Sequence, residues 1–120
     1  MVPRPRDLPT SGGVARIHRR GPRTAPTLVL GHGAGGGIEA GDLQVVAQAV
    51  AEAGFGVVLV EQPWRVAGKR VAPAPATLDV AWMEVVSGLR IPGALIVGGR
   101  SAGARVACRT ADRLGAAGVV

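Results

Sequence analysis

Gly99-Arg100-Ser101-Ala102-Gly103 is the stretch of this chain whose residue types and spacing can do chemistry. It fits the pattern G-x-S-x-G, in which a serine stands at a sharp turn between a strand and a helix with its hydroxyl projecting clear of the backbone. That turn forces unfavourable dihedrals on the serine, and a side chain two positions away on either side would clash, so Gly99 and Gly103 are the residues the geometry asks for. A serine presented in this way can act as a nucleophile toward an acyl carbon. It can also do no more than cap the following helix, a common role for serine. In a chain with 19 glycines the pattern arises readily by chance.

The flanking residues supply the elements that the turn needs. Leu95-Ile96-Val97 reads as a short buried strand. Beyond Ser101 an Ala/Arg/Val-rich segment reads as a helix, with Ala104, Ala107, Ala111 and Leu114 on one side and Arg105, Arg109, Asp112 and Arg113 elsewhere. Cys108 lies in this helix, where a small buried hydrophobe is the expected role.

Two further apolar runs precede it. Thr27-Leu28-Val29-Leu30 reads as a buried strand that empties into Gly31-His32-Gly33-Ala34-Gly35-Gly36-Gly37, a loop with so few side chains that its backbone N–H groups can approach a ligand or an oxyanion closely. A helix is expected next, with Asp42 as its N-cap, Leu43, Val46, Val50 and Ala53 at helical spacing, and Gly54 at its end. Val57-Val58-Leu59-Val60 is the following strand, closed by Glu61-Gln62-Pro63-Trp64. From there to Pro75 the Pro- and Gly-punctuated sequence, with Arg65, Lys69 and Arg70, reads as a long loop near the strand ends, in which Trp64 either lines a pocket or pins the loop to the core. A helix over 77–89 buries Leu78, Ala81, Trp82, Val85, Val86 and Leu89.

At the start, residues 1–13 are Pro-, Arg- and Gly-rich and read as an irregular arm. Val14-Ala15-Arg16-Ile17-His18-Arg19 alternates as a half-exposed strand with His18 toward solvent. At the other end, residues 115–120 turn toward another strand.

Strands alternating with amphipathic helices imply an α/β domain over 14–120, a mostly parallel sheet with helices on both faces. Its 120 residues fill one domain. The formal charge of +6 comes almost wholly from arginine, but the arginines are dispersed and no stacking aromatics accompany them, which argues against a nucleic-acid partner. One cysteine allows no internal disulfide and fits a reducing compartment. No apolar leader or membrane-length run is present, so a cytoplasmic protein without a membrane partner is expected.

A second reading starts from Gly31-x-Gly33-x-x-Gly36, which also follows a strand and precedes a helix, with Glu61 at the end of the next strand where a ribose-binding acid belongs in a dinucleotide fold. The interval from Gly31 to Glu61 exceeds the usual ~20 residues. The third glycine also falls inside a run of three, and the Ser101 turn is left unexplained. The two readings predict different sheets. In the dinucleotide fold, strand 57–60 separates 28–30 from 95–97; in the other, 28–30 and 95–97 pair directly.

GHGAGGG after one buried strand, EQPWRVAGKR after the next and GGRSAGARVA at the turn closely resemble the α/β-hydrolase superfamily, in particular the small dienelactone-hydrolase-like branch that includes testis-expressed protein 30 and the non-specific lethal complex subunit 3. The resemblance runs from about Val14 to Val120. It implies Ser101 as nucleophile, Ala102 as one oxyanion N–H donor and Ala34, or alternatively Gly35, as the other. It also implies that His32 orients its loop, that Arg100 meets an anionic substrate group or an acidic neighbour, and that no cofactor or metal is used. The partner expected is a small-molecule acyl substrate, an ester or thioester.

The family orders its catalytic residues as Ser, then Asp or Glu, then His. After Ser101 this chain offers Asp112, better suited to pair with Arg109 or Arg113, and no histidine. The expectation is therefore a truncated α/β-hydrolase fold, its N-terminal half, with little or no turnover by itself. A sheet edge beside Val119 and Val120 is then left open to self-association. A non-catalytic binding or scaffold module is the other reading of the same fold.

Overall fold

The computed structural model describes residues 4–23 and 26–120. Among these, β1 (Arg6–Thr10), β2 (Gly13–Arg20), β3 (Thr27–Gly31), β4 (Gly56–Glu61), β5 (Leu95–Gly99) and β6 (Gly118–Val119) form one sheet in the order β1-β2-β4-β3-β5-β6. The helices are α1 (Gly41–Glu52), α2 (Pro63–Val66), α3 (Pro75–Gly88) and α4 (Ala102–Thr110). β3 runs parallel to both β4 and β5, and β5 parallel to β6, while β1 and β2 form an antiparallel hairpin attached to β4.

Side-chain alternation along the central strands explains why helices cover both faces. Leu28, Leu30, Val57 and Leu59 point to one side and pack with Ile38 and with Leu43 and Ala47 of α1. Val29, Val58, Val60 and Val97 point to the other, where Leu78, Trp82, Val85 and Val86 of α3 and Val106 and Ala107 of α4 complete the larger core. A strand buried on both faces needs apolar residues at every position, which is why these runs are continuous rather than alternating. β2, nearer the sheet's edge, keeps alternation: Ala15 and Ile17 are buried and their neighbours are not.

β3 pairs directly with β5, Val29 opposite Val97. That is the order expected of the hydrolase topology, and it removes the arrangement expected of the dinucleotide fold, with 57–60 between them.

Several local expectations are corrected. Residues 6–10 of the expected irregular arm form β1, and residues 1–3 lie outside the described residues. The segment after Glu61 is not wholly loop, because Pro63 opens the short helix α2. Proline suits that first helical position, since its missing N–H would have had no intrahelical partner. Helix α1 has Ala40 rather than Asp42 at its N-cap position. Cys108 is exposed, since the buried stripe of α4 is Gly103, Val106, Ala107 and Thr110. No helix among the described residues is long and apolar enough to cross a membrane.

Candidate active site

Strand β5 delivers Ser101 to the carboxyl edge of the sheet, and α4 carries the chain away. Ser101 has φ 54° and ψ −116°, and among the described residues it is the non-glycine residue with positive φ. These are the angles of the first central position of a type II′ turn, normally glycine's. The turn is closed by the Gly103 N–H donating to the Arg100 carbonyl at 3.0 Å. Serine in this region is strained by about 1–3 kcal/mol, which the surrounding structure has to offset.

The helix-capping role is not what the side chain performs. Ser101 stands at the N-cap position of α4, yet its hydroxyl makes no capping hydrogen bond. The Ala102 amide has no hydrogen-bond partner among the described residues.

Both flanking glycines are required by contact. A Cβ at Gly103 would lie 2.5 Å from the Gly31 carbonyl carbon and oxygen and 2.8 Å from the His32 carbonyl oxygen. A Cβ at Gly99 would meet the Gly31 oxygen at 2.6 Å and the Gly103 carbonyl carbon at 2.7 Å. The turn and the glycine loop after β3 are thus packed backbone to backbone, with the Arg100 N–H donating to the Gly31 carbonyl at 3.1 Å. A Cβ at Gly33 would stand 3.3 Å from the Ser101 Cβ. Beyond it, the Ala34 and Gly35 amides have no hydrogen-bond partner among the described residues.

His32 holds this loop in place. It is fully buried. Its Nε2 accepts the Gln62 backbone N–H at 3.0 Å, which leaves Nδ1 protonated and donating to the Gly33 carbonyl at 2.9 Å. Burial pushes the imidazole below its ordinary pKa; the Gly33 hydrogen bond opposes that shift, and the Arg65 charge adds to it. With both nitrogens engaged and the ring neutral, His32 braces the loop and has no lone pair free for a proton transfer. The Gln62 side chain adds a donor to the His32 carbonyl at 3.3 Å. Gln62 was missed by sequence reasoning; its one signal was its place directly after a buried strand.

Trp64 is buried, and its ring meets that of His32 edge-on at 5.5 Å between centroids. It pins the start of α2 to the core, and it also forms one wall of a cleft of about 470 Å³ shared with Ala34 and Gly35. Arg100 points to an acidic neighbour, its Nε donating to Asp42 Oδ2 at 2.8 Å.

His18 and Arg109 are engaged elsewhere. His18, expected to face solvent, is half-buried and bonded to Glu61 at 2.5 Å. That contact also uses the acid that the dinucleotide reading needed. Arg109 makes a two-pronged contact with Asp79 of α3, not with Asp112. Neither of the chain's two histidines serves Ser101 as a base: His32 has both ring nitrogens engaged, and His18 lies on β2, separated by β4 and β3 from the strand that carries the serine.

A strained serine between two glycines, on the central parallel strands of a sheet covered on both faces, is the arrangement of α/β hydrolases. The sequence profile of the alpha/beta hydrolase domain family matches residues 24–120, and the chain belongs to that family. No curated protein matches it by sequence. Among solved structures, a lidless α/β serine hydrolase from Xanthomonas campestris superimposes with a TM-score of 0.78 at 20% identity, covering 97% of this chain and 58% of its own. An α/β serine hydrolase homologue from Coxiella burnetii gives 0.76 at 15% identity, over 92% of this chain and 58% of the other. The thioesterase domain of the curacin biosynthetic pathway gives 0.72 at 22% identity, over 92% and 39%. At these identities the likeness is one of fold, and the chain spans roughly two-fifths to three-fifths of those structures' length.

Proposed function

We propose that this chain is the nucleophile-bearing part of an acyl hydrolase in which Ser101 attacks an ester or thioester carbonyl. In the first step the Ser101 Oγ forms a bond to the acyl carbon. The carbonyl electrons move to oxygen, and collapse of that oxyanion expels the alkoxide or thiolate, which takes up the serine's proton. Water then releases the acid and restores the hydroxyl. The developing oxyanion is held by backbone amides, Ala102 from the turn and Ala34 or Gly35 from the glycine loop, which are aimed in advance and need no reorganisation. The scheme draws on no cofactor.

The observation that carries this reading is the backbone of Ser101. A costly φ of 54° on a residue whose side chain does no capping is best explained by presentation of the hydroxyl. The resemblance of the three sequence motifs supports a position in the dienelactone-hydrolase-like branch, and the single cysteine suits the cytoplasm.

The base that activates Ser101 lies outside these residues on this reading, because His32 has both ring nitrogens engaged and His18 stands on β2 with β4 and β3 between it and β5. Loss of a triad member leaves about 10³–10⁴ over water, so the 120-residue chain is expected to turn over slowly at best. The test is hydrolysis of short-chain aryl esters and acyl thioesters by the native polypeptide and by its Ser101→Ala variant. Activity abolished in the variant supports the assignment, and unchanged turnover refutes it. The placement of the two histidines equally favours a second reading, a binding module without turnover. A native polypeptide that ends at Val120, is monodisperse and ignores serine-directed probes would support that reading.

A further inference from the structure

The segment following β4 brings a group of cations to the cleft beside the glycine loop. Three contacts fix its start: Pro63 and Trp64 are buried, the Trp64 ring lies edge-on to His32, and the Gln62 N–H is held by His32. The backbone then folds back, with the Gly68 N–H on the Arg65 carbonyl and the Lys69 N–H on the Trp64 carbonyl, both at 3.0 Å. This return places Lys69 and Arg70 on the rim of the cleft of about 470 Å³ whose other walls are Ala34, Gly35, Trp64 and Arg65. That size suits a small organic ligand.

Every charged residue lining the cleft is basic. Arg65 is tied to Glu39, Nη2 to Oε1 at 2.8 Å. Lys69 and Arg70 are exposed and have no ion pair or side-chain hydrogen bond among the described residues. Ala34 and Gly35, whose amides have no hydrogen-bond partner among the described residues, line the same cleft. Arg100, the other cation at the serine, is neutralised by Asp42. An uncompensated pair of cations, an indole wall and open backbone donors therefore share a cleft that begins at Ala34, next in sequence to the Gly33 that lies against Ser101.

Resting on the hydrolase reading, we propose that this cleft selects acyl substrates bearing a terminal anionic group, a carboxylate or a phosphate, which Lys69 and Arg70 engage. The acyl carbonyl then lies over Ser101 and the anionic end reaches the α2 side of the glycine loop. Lysine supplies a point charge and arginine a planar fork, which together suit an oxyanion group of either kind.

Unreactive amides separate binding from chemistry. N-butyl succinamate, its phosphonate counterpart and neutral N-butyl succinamide are titrated calorimetrically into the chain at low salt. The two anions are expected to bind about ten-fold tighter than the neutral amide, and about 0.5 M NaCl should erase most of the difference. Whichever anion binds more tightly identifies the group. Lys69→Gln with Arg70→Gln should bring the three ligands within about two-fold of one another, and Lys69→Glu with Arg70→Glu should reverse the order. Equal affinities in the parent chain, or a preference that survives the double Gln variant, overturn the proposal. Loss of the hydrolase reading has a different signature: Ser101 fails to react with a fluorophosphonate while the anion preference persists.

Discussion

Gly33 and Ser101 are neighbours across the carboxyl edge of the sheet, so close that a Cβ on the glycine would stand 3.3 Å from the serine's own Cβ. This contact joins the loop after β3 to the turn after β5, which the direct pairing of those two strands makes possible. Gly33→Ala requires a shift of a few tenths of an ångström in one of the two. Small displacements of reacting groups cost rate steeply, so the variant is expected to lose roughly ten-fold in Ser101 reactivity with little change in thermal midpoint. Equal reactivity would mean that the two loops need no exact fit.

Gly103→Ala acts on stability. Its new methyl group would overlap backbone at 2.5 Å, and backbone cannot rotate away. A loss of about 1–3 kcal/mol or more in urea unfolding is expected, as for other overpacked sites. Gly118→Ala, whose Cβ would meet nothing within 4 Å, serves as the control and should stay within about 0.5 kcal/mol.

His32 makes stability depend on pH. Burial holds its folded pKa below the ordinary 6.5. As pH falls through about 6.5 the unfolded chain takes up a proton that the folded chain refuses, so the unfolded state binds more protons and stability drops; the loss ends once pH passes below the folded pKa. Urea midpoints measured between about pH 7.5 and 5.5 should fall toward acid. His32→Gln should flatten that slope while lowering stability at neutral pH through the lost Gln62 and Gly33 contacts. A slope identical to the parent's would assign the effect to other groups.

The end of the sheet gives a further prediction. β6 is an edge strand with Val119 and Val120 exposed, and exposed apolar edges promote pairing between chains. Sedimentation of the 120-residue chain should reveal concentration-dependent association that Val119→Lys weakens. A monomer at all concentrations would contradict this.

How much could be read beforehand followed from how local each signal was. β3, β4 and β5 were legible because strands buried on both faces are written as unbroken apolar runs, and the turn at Ser101 because its sterics demand glycine at fixed positions. β1 was hidden because Arg-Asp-Leu-Pro-Thr has no apolar alternation; as an edge strand it tolerates Pro9, which a central strand would not. α2 was hidden because four residues are too few for a helical period to register. Cys108 was misplaced because its expected burial rested on residue type alone, whereas the buried stripe of α4 runs through Gly103, Val106, Ala107 and Thr110. The pairs Arg100–Asp42, Arg65–Glu39 and Arg109–Asp79 join residues far apart in the chain, and composition carries no trace of which acid meets which base. The clustering of Lys69 and Arg70 with Ala34 and Gly35 was beyond reach for the same reason.

The central claim is that Ser101 is presented for reaction in a way that the chain's other serines are not. The direct measurement is peptide mapping after treatment of the native polypeptide with a fluorophosphonate, counting adducts at Ser11, Ser87 and Ser101. Backbone donors at the turn accelerate attack even where no base is in place, so the adduct should form at Ser101 at least about a hundred-fold faster than at Ser11 or Ser87. Ser101→Ala should abolish it. Labelling spread evenly over the three serines, or none at Ser101, would contradict the account.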